Sequence, residues 1–248
     1  MTAVDANKLS EMRTAEASID SRHANYKPFG PEWGSAYFTK WATISYALYD
    51  LGIAAGASIL DVGAGGGWTT LFLAESGYRA TGTDIAPANV TVGQRRAERY
   101  NSDARFVAAD MDTMDLGERF DAVLVFDALH HTNRRRQAVG RIASHVRPGG
   151  WVLFGEPSWL HGISPGARRT SRETGWVERG ITVRGLKADC RSAGLTEFRR
   201  FYEGTGPTHT IPGFAWETVR HFAGRVVVAP QTSIWLAARA TGPVRDPA

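Results

Sequence analysis

The chain is poor in cysteine: Cys190 is its only one in 248 residues. A single thiol cannot close a disulfide within the chain, which removes disulfide-stapled secreted scaffolds and points to a reducing, cytoplasmic setting. Long apolar runs are also missing. No stretch reaches the ~18–20 residues that a membrane-spanning helix needs, and Met1–Arg22 lacks the apolar centre of a secretory signal. An excess of one charge is absent too. The 29 basic and 25 acidic side chains leave a net +4, too little to argue for nucleic acid. Internal repeats and low-complexity tracts do not occur. What remains is an ordinary soluble composition, 43% hydrophobic and 22% charged, long enough for one α/β domain with additions or, at the limit, two small ones.

The informative stretch is Ser58-Ile-Leu-Asp-Val-Gly-Ala-Gly-Gly-Gly-Trp68. Ser58–Val62 is a short apolar run that reads as a buried parallel strand, and Trp68–Ala74 opens a helical pattern. A strand, a glycine turn and a helix bring backbone N–H groups close to a ligand. Around this unit the chain alternates. Strands are expected at Arg79–Asp84, Ala104–Ala109, Phe120–Phe126 and Trp151–Gly155, with helices at Pro87–Tyr100 and Arg134–Val146 between them. Short connections of this kind imply a parallel sheet with right-handed crossovers. Upstream, Met1–Asn25 is polar and reads as a loose helix or a partly disordered lead, and Tyr26–Ser35 as a loop. Ala36–Leu51 reads as a helix laid on the sheet by Phe38, Trp41, Ala42, Tyr46, Ala47 and Tyr49. Downstream, Pro157–Gly180 is rich in Gly, Ser, Pro and Arg and reads as an irregular insertion or lid. A helix follows at Val183–Ala193 and a sixth strand at Glu197–Tyr202. Glu203–Pro230 is a second irregular stretch with a helix over Phe214–Ala223. Thr232–Ala238 is the last strand and Thr241–Ala248 a frayed tail.

The acids carry the functional argument. Asp61, Asp84, Asp110, Asp127 and Glu156 each fall at or just past the carboxyl end of one of five successive strands. In an open parallel sheet those ends share one edge, and ligands bind in the crevice outside it. So many carboxylates would repel the phosphates of a dinucleotide or ATP. They suit an ammonium, a sulfonium and a ribose.

Asp61-x-Gly63-x-Gly65-x-Gly67, followed by Asp84, resembles the first motif of the class I S-adenosylmethionine-dependent methyltransferases, and the resemblance extends over about Ile59–Ala238. It implies a doubly wound, mostly parallel seven-stranded sheet of order 3-2-1-4-5-7-6, helices on both faces, and a last strand antiparallel between the fifth and sixth. It also implies S-adenosyl-L-methionine as cofactor. Asp61, Gly63, Ala64, Gly65 and Gly67 would then form the loop under its methionine part. Asp84 would accept both ribose hydroxyls and Ile85 would pack on the adenine. Asp110 and Met111 would flank the adenine, and Phe126-Asp127-Ala-Leu-His-His131 would lie beside the methyl group. Tyr37 counts among the cofactor contacts, and with Tyr26, Phe29 and Trp33 it would wall the acceptor pocket. Arg147-Pro-Gly-Gly150 is the family's usual turn. On this reading the chain is one methyltransferase domain, with residues 1–51 as a helical cap, 52–156 as cofactor-binding core, and 157–180 and 203–230 as substrate-side insertions.

Each of these residues also has a plainer reading. Asp61 could cap its turn, Asp127 could begin a helix, and His131 could be structural, with His161 the other candidate base. Cys190 reads as core and Arg134-Arg135-Arg136 as solvated surface. A histidine beside the methyl position suits a hydroxyl acceptor, so O-methylation of a small molecule is expected, with N- or C-methylation as the alternative. No Asn/Asp-Pro-Pro-Tyr/Phe motif follows the fourth strand, which speaks against base N-methylation in nucleic acids. No nucleic-acid or membrane partner is expected, and no residue is assigned to a metal. Between Pro157 and Arg200, nine basic side chains stand against four acidic ones. The plainer reading is a solvated basic face, and the sharper one is a lid whose Arg168 and Arg169 grip an anionic acceptor. Two rivals stand further off. A nicotinamide-dependent oxidoreductase would need a third glycine where Trp68 stands, and a non-catalytic module could keep the cofactor as a structural ligand.

Overall fold

The computed structural model of the chain describes residues 5–29, 36–203 and 233–241. Its sheet contains β1 (Ser58–Val62), β2 (Arg79–Asp84), β3 (Arg105–Ala108), β4 (Phe120–Phe126), β5 (Val146–Pro157), β6 (Leu195–Phe201) and β7 (Ser233–Ala240). Their order is β3-β2-β1-β4-β5-β7-β6. Strands β1 to β5 pair in parallel, and β7 runs antiparallel to both β5 and β6. The order and the reversed last strand are those expected. Helices α1 (Ala6–Ala17), α2 (Arg22–Tyr26), α3 (Ala36–Asp50), α4 (Trp68–Glu75), α5 (Pro87–Tyr100), α6 (Arg135–Ser144), α7 (Pro165–Thr174) and α8 (Val183–Ser192) complete the described residues. None of these helices is long and apolar enough to cross a membrane.

Alternation along the central strands sends neighbouring side chains to opposite faces. Ile59, Ala122, Leu124, Phe126, Leu153 and Trp235 join Ile44, Ala47 and Leu48 of α3 and Leu73 of α4 in one core. Leu60, Val62, Val123, Val125, Phe154 and Leu236 join Val139 and Ile142 of α6 and Leu186 and Cys190 of α8 in the other. Because β1 and β4 are covered on both faces, their sequences are nearly continuous apolar runs. Cys190 is core, and burial pushes its thiol up to about 12.

Several boundaries differ from expectation. β5 begins at Val146 rather than Trp151, because Val146 pairs with Phe120 before a register shift leads to Ala122↔Trp151. Arg147-Pro-Gly-Gly150 therefore lies within the strand. β6 begins at Leu195, fully buried and paired with Ala240. The helix expected from Ala36 is present, but Phe38, Tyr46 and Tyr49 face outward, Tyr49 by 82%. Its sheet-facing stripe is Thr43, Ile44, Ala47 and Leu48, one step round the helix.

Two segments are more regular than expected. The stretch read as a loose lead forms α1 and α2, with Asp5 and Ser21 accepting from backbone N–H groups as N-caps. The Gly- and Pro-rich insertion contains α7. Ser164 caps its start, Pro165 occupies its first turn, and Gly175 closes it in the left-handed region. The second irregular stretch beyond Glu203, with its helix over Phe214–Ala223, lies outside the described residues, as do Trp33 and the tail beyond Thr241.

Candidate active site

The glycine loop is rooted by two close approaches. Gly63 has φ +71°, and a Cβ there would sit 2.4 Å from the Ala128 Cβ. Gly67 has φ +78°, and its Cβ would meet the Phe106 ring at 2.3 Å. No other residue fits both the torsion and the space. The Ala64 N–H donates to the Thr83 carbonyl at 2.8 Å, tying the loop to β2.

Above this loop lies a cavity of about 360 Å³. Its lining brings together Gly63, Ala64, Gly65, Asp84, Ile85, Asp110, Met111, Phe126, Asp127 and His131. Asp84 accepts from Gly65 N and Ala86 N, both at 2.9 Å, and from Asn89 Nδ2 at 3.1 Å. Burial raises its carboxyl above the usual range, against those hydrogen bonds. Asp127 adopts φ +54° and precedes a 3₁₀ turn over Leu129–His131.

Three of the expected cofactor residues lie behind the lining. Asp61 is 1% exposed and accepts from the Thr69 and Thr70 hydroxyls at 2.5 and 2.7 Å. Burial lifts its carboxyl to about 6. Gly67 is packed under Phe106, and Tyr37 meets the edge of Trp68 with centroids 5.6 Å apart. Glu156 also departs from the expected row of cleft acids. It is 1% exposed and accepts from the backbone N–H groups of Ala128, Leu129 and His130 at 3.1, 2.9 and 3.3 Å. Five strand ends thus carry acids, but only Asp84, Asp110 and Asp127 reach the cavity.

Glu156 also meets His130 Nδ1 at 2.9 Å. Burial opposes a charged His130, yet this partner raises its pKa. His131 Nδ1 faces the Val177 carbonyl at 2.9 Å. A carbonyl only accepts, so Nδ1 carries the proton and Nε2 is left as the basic nitrogen. Burial, then His130, lowers the His131 pKa. His161 is outside the cavity lining, its Nε2 2.5 Å from Glu178 Oε2. His130, His131 and Glu178 place three ligand-type atoms within 4.8 Å of one another, a group able to hold a cation. Arg168 and Arg169 are exposed on α7, where Ala167 takes the buried face and Arg169 pairs with Glu173 at 2.7 Å. Neither reaches the cavity.

Sequence reasoning missed the roof. Asn7, Lys8 and Glu11 of α1 line the cavity together with Trp176. Lys8 Nζ meets Asp110 Oδ2 at 2.6 Å and Asp112 Oδ2 at 2.5 Å. Asn7 donates to the His131 carbonyl at 3.1 Å and accepts from Val177 N at 2.6 Å. Arg96, 1% exposed on α5, donates to the carbonyls of Gly66 and Lys27 at 3.2 and 2.6 Å, pinning α2 to the glycine loop. The signal that could have found the roof is the i, i+1, i+4 spacing of Asn7, Lys8 and Glu11, which puts three polar groups on one helix face.

Comparison with known proteins agrees with this architecture. Residues 59–150 match the family described as a methyltransferase domain. A ubiquinone biosynthesis O-methyltransferase of Methylobacterium nodulans is 26% identical over 186 residues, covering 71% of this chain and 73% of that one. The corresponding protein of Chromobacterium violaceum is 34% identical over 102 residues, 40% of this chain and less than half (44%) of the relative. Among solved structures, phosphoethanolamine N-methyltransferase 2 of Haemonchus contortus, in complex with S-adenosyl-L-methionine, aligns with a TM-score of 0.68 at 15% identity. That alignment covers 97% of this chain and 61% of that one. Residues 59–150 thus match the methyltransferase-domain family, and the strand order is the one expected for the class I methyltransferase fold.

Proposed function

We propose that the chain methylates a hydroxyl group of a small-molecule acceptor, with His131 as the base. The carrying observation is the hydrogen bond from His131 Nδ1–H to the Val177 carbonyl, which leaves Nε2 unprotonated on a residue that lines the cavity. The names of the relatives in Methylobacterium nodulans and Chromobacterium violaceum support a hydroxyl acceptor.

The lining fits the cofactor chemically. Asp84, Asp110 and Asp127 with the backbone of Gly63–Gly65 make a surface suited to cationic and hydroxyl groups. When bound, the cofactor supplies a methyl group activated on a sulfonium. The protein then has to orient, exclude water and accept a proton. Asp84 would hold the ribose, and Ile85, Met111 and Phe126 would offer apolar surface to the rest. Asp61, Gly67 and Tyr37 act from behind, fixing α4, the loop and Trp68. The α1 roof keeps the site dry, which favours a reaction that disperses charge. His131 Nε2 takes the acceptor's proton, and Glu156 keeps the turn that carries it in place.

Mass spectrometry of hydroxylated acceptors incubated with enzyme and cofactor tests this reading. His131→Ala should lower turnover ~10²–10⁴-fold with cofactor affinity little changed. Wild-type activity should rise with pH as the imidazole loses its proton. Because His131 is shifted downward, the rise falls on the acid side of the usual ~6.5. Undiminished turnover of the alanine variant would point instead to an amine acceptor, which needs no base.

A further inference from the structure

Glu11 is a carboxylate that the fold places in the cavity with no ion pair of its own among the described residues. It lies on the inner face of α1 and lines the cavity with Asp84 and His131. Its only hydrogen bond among the described residues is from Asn7 Nδ2 at 3.0 Å. The same Nδ2 reaches the His131 carbonyl at 3.1 Å, so Glu11 stands one amide group away from the histidine turn. The negative charge of Asp84, which lines the same cavity, acts on it as well. Lys8, one turn earlier, is committed to Asp110 and Asp112. Burial and then Asp84 push the Glu11 carboxyl up to about 7, although the Asn7 contact and, more weakly, His130 and Lys8 oppose this.

A half-buried carboxylate beside another carboxylate costs free energy unless something positive arrives. The place between the ribose acid and the histidine turn is where the reacting end of the cofactor must lie, if the ribose is on Asp84 and the acceptor's proton is taken by His131. The cation at that end is the sulfonium. We propose that Glu11 reads the sulfonium, favouring S-adenosylmethionine over S-adenosylhomocysteine by charge. The inference rests on the cavity reading above and extends it. Methyl transfer breaks the bond from sulfur to the methyl carbon and forms the bond from acceptor oxygen to that carbon. The acceptor's proton goes to His131, and the sulfur becomes a neutral thioether. Glu11 and Asp84 are then left without that cation, which favours departure of the spent cofactor.

The test uses calorimetry on the full chain and needs no knowledge of the acceptor. Three ligands are titrated: S-adenosylmethionine, S-adenosylhomocysteine, and an analogue carrying an ammonium in place of the methylsulfonium. Glu11→Gln keeps an oxygen for Asn7 and removes only the charge. It should weaken both cationic ligands about tenfold and leave S-adenosylhomocysteine within about twofold. Glu11→Asp, with the charge on a shorter arm, serves as the second chain and should lie between. Equal weakening of all three ligands would place Glu11 on the ribose or the ammonium instead and overturn the proposal, as would no change in any. Failure of all three to bind the wild-type chain would overturn the cavity reading along with it.

Discussion

Asp61 and Asp84 end neighbouring strands, and their side chains have separate tasks. Asp61 lies between Leu60 and Val62, which face the α6 side, so alternation sends it to the α4 side, where Thr69 and Thr70 meet it. Its carboxyl, lifted to about 6, lies above the unfolded value of ~3.9. The folded chain therefore keeps this proton over a pH range in which the unfolded chain has lost it. Stability from this group is full below about pH 4, declines as pH rises to about 6, and is level above. The expected loss is about 2–3 kcal/mol, and Asp61→Asn should lack it. Urea denaturation of both chains from pH 4 to 8 checks the point: parallel curves would contradict it. Asp84 is tied on both oxygens yet still borders the cavity. Asp84→Ala should weaken S-adenosylhomocysteine binding by about 1.5–3 kcal/mol. It should also lower thermal stability, since the N–H groups of Gly65 and Ala86 lose their acceptor. Unchanged affinity by calorimetry would remove Asp84 from the ribose.

At the scale of elements, legibility followed the kind of contact that holds each one. Buried parallel strands are continuous apolar runs, so β1, β2 and β4 were bounded to the residue from sequence. Helix α1 has no such stripe. Its attachments are largely polar: Asn7 to His131 and Val177, Lys8 to Asp110 and Asp112, Ser10 to Thr174, with Met12 and Ala15 packed beside Ala86 and Ala88. Periodicity sees none of those polar contacts. Helix α7 was hidden because Ser164, Pro165 and Gly175, read as loop residues, are its caps. Position at a strand end gives the edge of the sheet but not the face. That is why Asp61 and Glu156 looked like cleft acids although they point into the fold. The prediction at this scale concerns the roof. Lys8→Met leaves Asp110 and the buried Asp112 without their counter-charge, at a cost of about 3 kcal/mol. Hydrogen exchange should accelerate across residues 6–17 while β1 stays protected. Uniform acceleration through the sheet would mean that α1 is part of the global folding unit rather than a detachable roof.

Over the whole molecule, a seven-stranded sheet brings its parallel strand ends to one edge, and a polar helix covers that edge. The glycine loop, Asp84 and the histidine turn follow three different strands, β1, β2 and β4, and the topology unites them at one cavity. The fold class follows from this framework. The most direct measurement is to incubate the protein with methyl-labelled S-adenosylmethionine and a pool of small hydroxylated molecules, then locate the label by mass spectrometry. The account predicts label on an oxygen, formed together with an equal amount of S-adenosylhomocysteine and abolished in His131→Ala. Label found only on nitrogen or carbon, or a cofactor that binds and is never turned over, would contradict it.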